Sequence, residues 1–128
     1  MNNKEFEFYK DEVKERWGNT DAYKEYVDNT KNYGDEKKGG LIDEMNSIFG
    51  EFASYMNNNA VPADEEVQSL VKKLQDHITE NYYTCTKAIL SGLGQMYVCD
   101  ERFKNNIDRH AEGTATFASE AISHYCKA

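Results

Sequence analysis

The chain is 128 residues long, a length that fits one domain around one hydrophobic core, and its 39% hydrophobic share with nine Tyr, six Phe and one Trp is enough to build that core and to exclude disorder of the whole chain. Fifteen basic residues stand against 23 acidic ones, a net charge of −8. Acids accompany nearly every base, which excludes the clustered Lys and Arg that a nucleic-acid backbone requires. The start, "MNNKEFEFYK", lacks the apolar run of a signal peptide, and no window approaches the roughly 20 apolar residues of a membrane span. The expectation is a cytoplasmic protein that contacts neither membrane nor nucleic acid directly.

A single proline, abundant Glu, Lys, Ala, Leu and Met, and the absence of any long apolar-polar alternation predict an all-α fold of six to seven helices. A first helix is expected from about Lys4 to Trp17, with Phe6, Tyr9, Val13 and Trp17 on one face and Gly18 as its stop. Asn19 or Thr20 caps a second segment through Tyr23, Tyr26, Val27 and Thr30, which fades at "NYGDEKKGG", where glycines and a charge run read as a hinge or linker. Leu41, Met45, Ile48, Phe49, Phe52 and Met56 then follow the spacing of a buried helical stripe, ending at "NNNAVP". Pro62 and Asp64 signal the next start, and Val67, Leu70, Val71, Leu74 and Ile78 form the apolar face of a helix reaching "NYYTC". A further helix over Thr86 to Val98 carries Ile89, Leu93 and Met96, with Leu90 and Tyr97 beside them. Asp100 is placed to cap a short helix with Phe103 and Ile107 inward. Gly113 interrupts before a last helix with Phe117, Ala121, Ile122 and Tyr125.

Few of the possible sites survive inspection. Gly92-x-Gly94 has neither the preceding strand nor the further glycines or Gly-Lys-Ser/Thr of a phosphate loop; two glycines inside a helix point instead to close approach of a neighbouring helix or a bulky ligand. His110-Ala111-Glu112 matches the His-x-Glu of zinc deaminases without their Pro-Cys-x-x-Cys partner, and His77, His110 and His124 lack metal-ligand spacing, so surface or half-buried histidines and no metal site are expected. Cys85, Cys99 and Cys126 are odd in number and fit neither a disulfide framework nor a metal knuckle; reduced thiols are expected. No enzyme signature and no cofactor site emerges. What stands out is the aromatic load, Trp17, Tyr23, Tyr26, Tyr33, Tyr55, Tyr82, Tyr83, Tyr97 and Tyr125, whose broad faces and hydroxyls suit large, semi-polar organic ligands.

Two blocks carry a resemblance. "EVKERWGNTDAYKEY" (12–26) and "LGQMYVCDERFKNNIDRHAEGTATFASEAI" (93–122) resemble the TipA-S antibiotic-recognition domain, the effector-binding domain of MerR-type, thiostrepton-induced transcription activators that also occurs as a stand-alone protein. The resemblance spans nearly the whole chain and implies a single domain over 1–128 with an all-α, globin-like fold without haem and a cleft for bulky peptide antibiotics. It also implies an N-terminal segment, here 1–40, that acts as a mobile lid over the ligand. Residue by residue it points to Trp17 and Tyr23 in the lid block, Tyr82, Tyr83 and Cys85 in the segment entering the cleft, and Ile89, Gly92, Met96 and Tyr97 on the cleft helix.

In a well-known member a cysteine adds covalently to dehydroalanine groups of the drug, and its position matches Gly92 here, so the implied binding is noncovalent. Cys85, nearly two turns earlier, could take its place only with its thiol pointing into the cleft and partly ionised. The family's activators carry a DNA-binding domain that this chain lacks, which leaves two forms open: a complete sequestering protein or the sensing domain of a longer regulator. The competing reading is a helical interaction or dimerisation module that binds no small molecule.

Overall fold

A computed structural model describes residues 21–127 of the protein; the first expected helix, with Trp17, lies outside them. Within the described residues six helices follow one another: α1 (Asp21–Thr30), α2 (Asp35–Asn57), α3 (Glu65–Asn81), α4 (Lys87–Cys99), α5 (Glu101–Asp108) and α6 (Thr114–Lys127). No strand occurs among those residues, and the chain is all-α as predicted.

The chain divides into two compact units. One takes in the residues up to Asn46 together with Asp76–Cys85, the other Ser47–Gln75 together with the residues from Thr86 onward, so α2 and α3 each contribute to both.

The second unit holds the larger apolar core. Phe52, Leu74 and Val71 are fully buried on the stripes of α2 and α3, and Leu90, Phe103 and Ile122 meet the same interior from α4, α5 and α6. Phe49 sits edge-on to Tyr97 at 5.4 Å between ring centroids, and Phe52 edge-on to Phe117 at 6.5 Å, both within the range where aromatic pairs attract. Gly94 lets α4 approach α6, because a Cβ there would lie 3.0 Å from Ile122 Cγ2.

Polar side chains close the ends of these helices. Thr86 caps α4 by accepting from the Ile89 amide at 3.2 Å, and Asp100 caps α5 by accepting from the Arg102 amide at 3.0 Å. Asp108 accepts from the Ala115 amide at 2.8 Å in the first turn of α6, just past Gly113, whose φ of 93° suits glycine. Gln68 donates to the carbonyls of Pro62 and Ala121, tying α3 to its own entry loop and to α6.

One expectation needs correction. The linker read into "NYGDEKKGG" is a short turn followed directly by the first turns of α2, which begins at Asp35 and runs through Gly39 and Gly40. Each glycine costs about 1 kcal/mol against alanine in a helix, but Asp35 and Glu36 favour the positive N-terminal end of the helix dipole, and the buried stripe from Leu41 onward extends it backward. The helix expected to reach "NYYTC" does so and stops at its first residue, Asn81; the residues after it are irregular until Lys87.

Candidate functional site

The unit that includes α1 gathers its tyrosines. Tyr23 and Tyr26, three residues apart, lie on one face of α1, and Tyr26 is buried there with 3% exposure. Its ring stacks at 6.2 Å on Tyr23 and at 6.2 Å on Tyr82, and meets Tyr83 edge-on at 6.5 Å. Tyr82 and Tyr83 are themselves buried in the connection that leaves α3. Tyr23, Tyr82 and Tyr83, which the resemblance singles out, all meet Tyr26, which it does not. The three-residue step between Tyr23 and Tyr26 was the available signal.

That connection is irregular, yet the amides from Tyr82 to Cys85 are all hydrogen-bonded. The N–H groups of Tyr82 and Tyr83 both donate to the Ile78 carbonyl, at 2.9 and 3.1 Å, and that of Cys85 donates to Thr79 Oγ1 at 3.1 Å. Thr84 turns the other way: its N–H donates to Glu25 Oε1 and its hydroxyl to Glu25 Oε2, the latter at 2.9 Å. Helix ends leave carbonyls without partners inside the helix, and α1 with the turn after it supplies them. Asn29 Nδ2 donates to the Tyr82 carbonyl at 3.0 Å, and Tyr33 Oη to the Asn81 carbonyl at 2.7 Å.

His77, expected at the surface or half-buried, is buried on α3 with 8% exposure. Its ring lies edge-on to Tyr82 at 5.9 Å, Nδ1 faces Glu44 Oε2 at 3.4 Å, and the buried Nε2 has no hydrogen-bond partner among the described residues. Burial lowers its pKa from the ordinary 6.5, against Glu44, the Leu41 backbone and Glu80, which favour the charged ring. The expectation failed because the helical face of a lone histidine cannot be read from its own identity. Burial, with Cys85 and Tyr26 adding to it, pushes the Tyr83 phenol well above its ordinary 10.0, so this ring stays neutral and keeps its proton to donate. Cys85 is buried and unbridged beside it.

The remaining expected residues belong to α4 in the other unit. Ile89, Gly92 and Met96 share one face at three- and four-residue steps, passing from half-buried Ile89 through exposed Gly92 to buried Met96. Tyr97 is a core residue between Phe49 and Phe103, at 5.4 and 6.4 Å. Gly92 has open space around its missing Cβ, so close packing explains Gly94 and leaves Gly92 to another cause. Among the described residues no group of three or more His, Cys, Asp or Glu side chains converges as metal ligands would, and no helix is long and apolar enough to cross a membrane.

This arrangement of buried and half-exposed tyrosine rings can stack on flat groups and donate hydrogen bonds to them. The chain's similarities point the same way. A sequence profile of the TipAS antibiotic-recognition domain matches residues 9–125. The chain is 37% identical over 118 residues to the HTH-type transcriptional activator mta of Bacillus subtilis, covering 92% of this chain and 45% of that protein. It is 38% identical over 117 residues to the HTH-type transcriptional activator TipA of Streptomyces coelicolor, covering 89% of this chain and 45% of the activator. The chain therefore spans less than half the length of these relatives. Among solved structures, TipAS of Streptomyces lividans in complex with nosiheptide, from a thiopeptide antibiotic multidrug resistance system, superposes with a TM-score of 0.82 at 33% identity, over 94% of this chain and 85% of that one. The fold is the globin-like helical fold of that structure. On this sequence match and this shared fold, the chain belongs to the TipAS antibiotic-recognition domain family.

Proposed function

We propose that this chain binds bulky peptide antibiotics of the thiopeptide kind noncovalently, as the effector-sensing domain of a MerR-type transcription activator or as a stand-alone sequestering protein. The observation that carries the reading is the likeness, over 94% of the chain, to TipAS holding nosiheptide. The tyrosine cluster supports it. Thiopeptide heterocycles are flat and semi-polar, and Tyr23, Tyr82 and Tyr83 offer ring faces whose hydroxyls stay protonated where burial raises the phenol, as at Tyr83. On α4 we assign Ile89, Gly92, Met96 and Tyr97 to the ligand side, and Trp17 to the N-terminal segment. Exposed Gly92, open where a side chain would project, leaves room for a large ligand. Cys85 takes part through its surroundings; its thiol is buried and Gly92 carries none, so no covalent bond is formed.

The test is a titration of the protein with nosiheptide, followed by fluorescence of Trp17, the one tryptophan of the sequence, and by intact mass. A saturable fluorescence change at unchanged mass is the expected result. No response in fluorescence or in backbone amide resonances at saturating ligand would overturn the reading.

A further inference from the structure

We propose that Glu25 is a positioning residue for the tyrosine site, clasping Thr84 and thereby holding Tyr82 and Tyr83 against Tyr26 before any ligand arrives. Its importance to ligand affinity rests on the function proposed above; the clasp itself is read in the free protein.

The inference follows from where the backbone hydrogen bonds go. After α3 ends at Asn81, the amides of Tyr82, Tyr83 and Cys85 find acceptors within α3, in the Ile78 carbonyl and Thr79 Oγ1. The Thr84 amide is different, because its acceptor is a side chain 59 residues away in sequence. Both oxygens of the Glu25 carboxylate are engaged by the same residue, one by the N–H and one by the hydroxyl, so the carboxylate fixes the position and the orientation of Thr84 together. Hydrogen bonds to a charged acceptor are stronger than neutral ones. Thr84 follows Tyr83 directly, so fixing it sets where the two rings before it can lie.

Glu25 does not act alone. Residues 25, 29 and 33 recur at four-residue steps, and each reaches the same short stretch: Glu25 takes Thr84, Asn29 the Tyr82 carbonyl, Tyr33 the Asn81 carbonyl. Beside this polar stripe runs the aromatic one of Tyr23 and Tyr26. One edge of α1, with Tyr33 in the turn after it, thus supplies hydrogen bonds to the stretch after α3, while the next edge supplies the ring on which Tyr82 stacks. A ligand that meets Tyr82 and Tyr83 finds them already ordered and does not have to order them itself, which is how preorganisation raises affinity.

The experiment compares Glu25→Ala and Glu25→Gln with the parent chain by amide hydrogen exchange and by the ring resonances of Tyr82 and Tyr83. Glutamine can still accept from the Thr84 amide and donate to its hydroxyl; alanine can do neither. In the free parent protein the Thr84 amide should be protected. Glu25→Ala should speed its exchange about tenfold and shift both tyrosine rings, while the amides of α6 keep their rates, and Glu25→Gln should restore most of the protection. In a nosiheptide titration Glu25→Ala should weaken binding about tenfold through faster dissociation, with Glu25→Gln near the parent. An unprotected Thr84 amide in the parent, or tyrosine rings indifferent to Glu25→Ala, overturns the proposal. Protection and ring shifts in a protein that takes up no nosiheptide leave the clasp standing and overturn only the proposed ligand.

Discussion

Gly92 and Gly94 sit one residue apart in α4, and a methyl group would meet different surroundings at each. At Gly94 a Cβ would lie 3.0 Å from Ile122 Cγ2 and 3.3 Å from Ile122 Cβ. Ile122 is buried and β-branched, so it cannot swing aside by a change of rotamer. Overpacking of this kind costs about 1–3 kcal/mol, more than the roughly 1 kcal/mol that alanine gains over glycine in a helix. At Gly92 nothing lies within 4 Å and the residue is exposed, so the helix gain stands alone. Gly94→Ala should therefore lower the stability measured by chemical denaturation, and Gly92→Ala should raise it by about 0.5–1 kcal/mol. A Gly92→Ala protein less stable than the parent would show that position 92 is crowded in solution. If Gly92 is retained for the ligand's sake, the stabilised variant should also bind nosiheptide more weakly.

At the scale of elements, α3 carries a titratable group whose cost falls on one unit. His77 faces Glu44 from α2, Glu80 and Asn81 from its own helix, and the Tyr82 ring beyond its end. Burial holds its folded pKa below the ordinary 6.5 in spite of Glu44. The unfolded chain takes up the proton near 6.5 while the folded chain still refuses it, so stability is greatest above 6.5 and falls as the pH drops through the folded value. Denaturation midpoints should be lower at about pH 5.5 than at about pH 7.5, and His77→Phe should remove that part of the dependence. An identical pH profile in His77→Phe would assign the effect to the carboxylates. The same elements show what sequence makes legible. The apolar stripes of α2, α3 and α6, and the cap Asp100, were visible because periodicity and capping are local. The start of α2 at Asp35 was hidden because tertiary packing overrode its glycines, and the Tyr82–Thr86 connection because its partners sit at Thr79 and, far away in sequence, at Glu25. Tyr23, Tyr82 and Tyr83 were named through resemblance to a family; the packing of Tyr82 on Tyr26 and the burial of His77 beside Glu44 join elements far apart in sequence.

For the molecule as a whole, the three thiols report on different parts of it at once. Cys99 is exposed at the end of α4; Cys126 is half-buried, donates to the Lys87 carbonyl at 3.3 Å and is pushed up by burial against the influence of Lys87; Cys85 is buried in the unit that holds the tyrosines. The thiolate is the reactive species, so alkylation by iodoacetamide should proceed in the order Cys99, Cys126, Cys85. Modification of Cys85 requires its unit to open, and its rate then measures that opening. A ligand that binds the closed form only suppresses opening in proportion to its saturation, about 100-fold at a free concentration 100 times its dissociation constant. Nosiheptide should accordingly slow alkylation of Cys85 by that order and leave Cys99 at its former rate, with the intact mass rising by the alkyl groups alone. Equal slowing at Cys99 would point to shielding unrelated to the tyrosine unit. A mass gain equal to the antibiotic, located on Cys85, would replace noncovalent binding by capture through the thiol nearest the tyrosines.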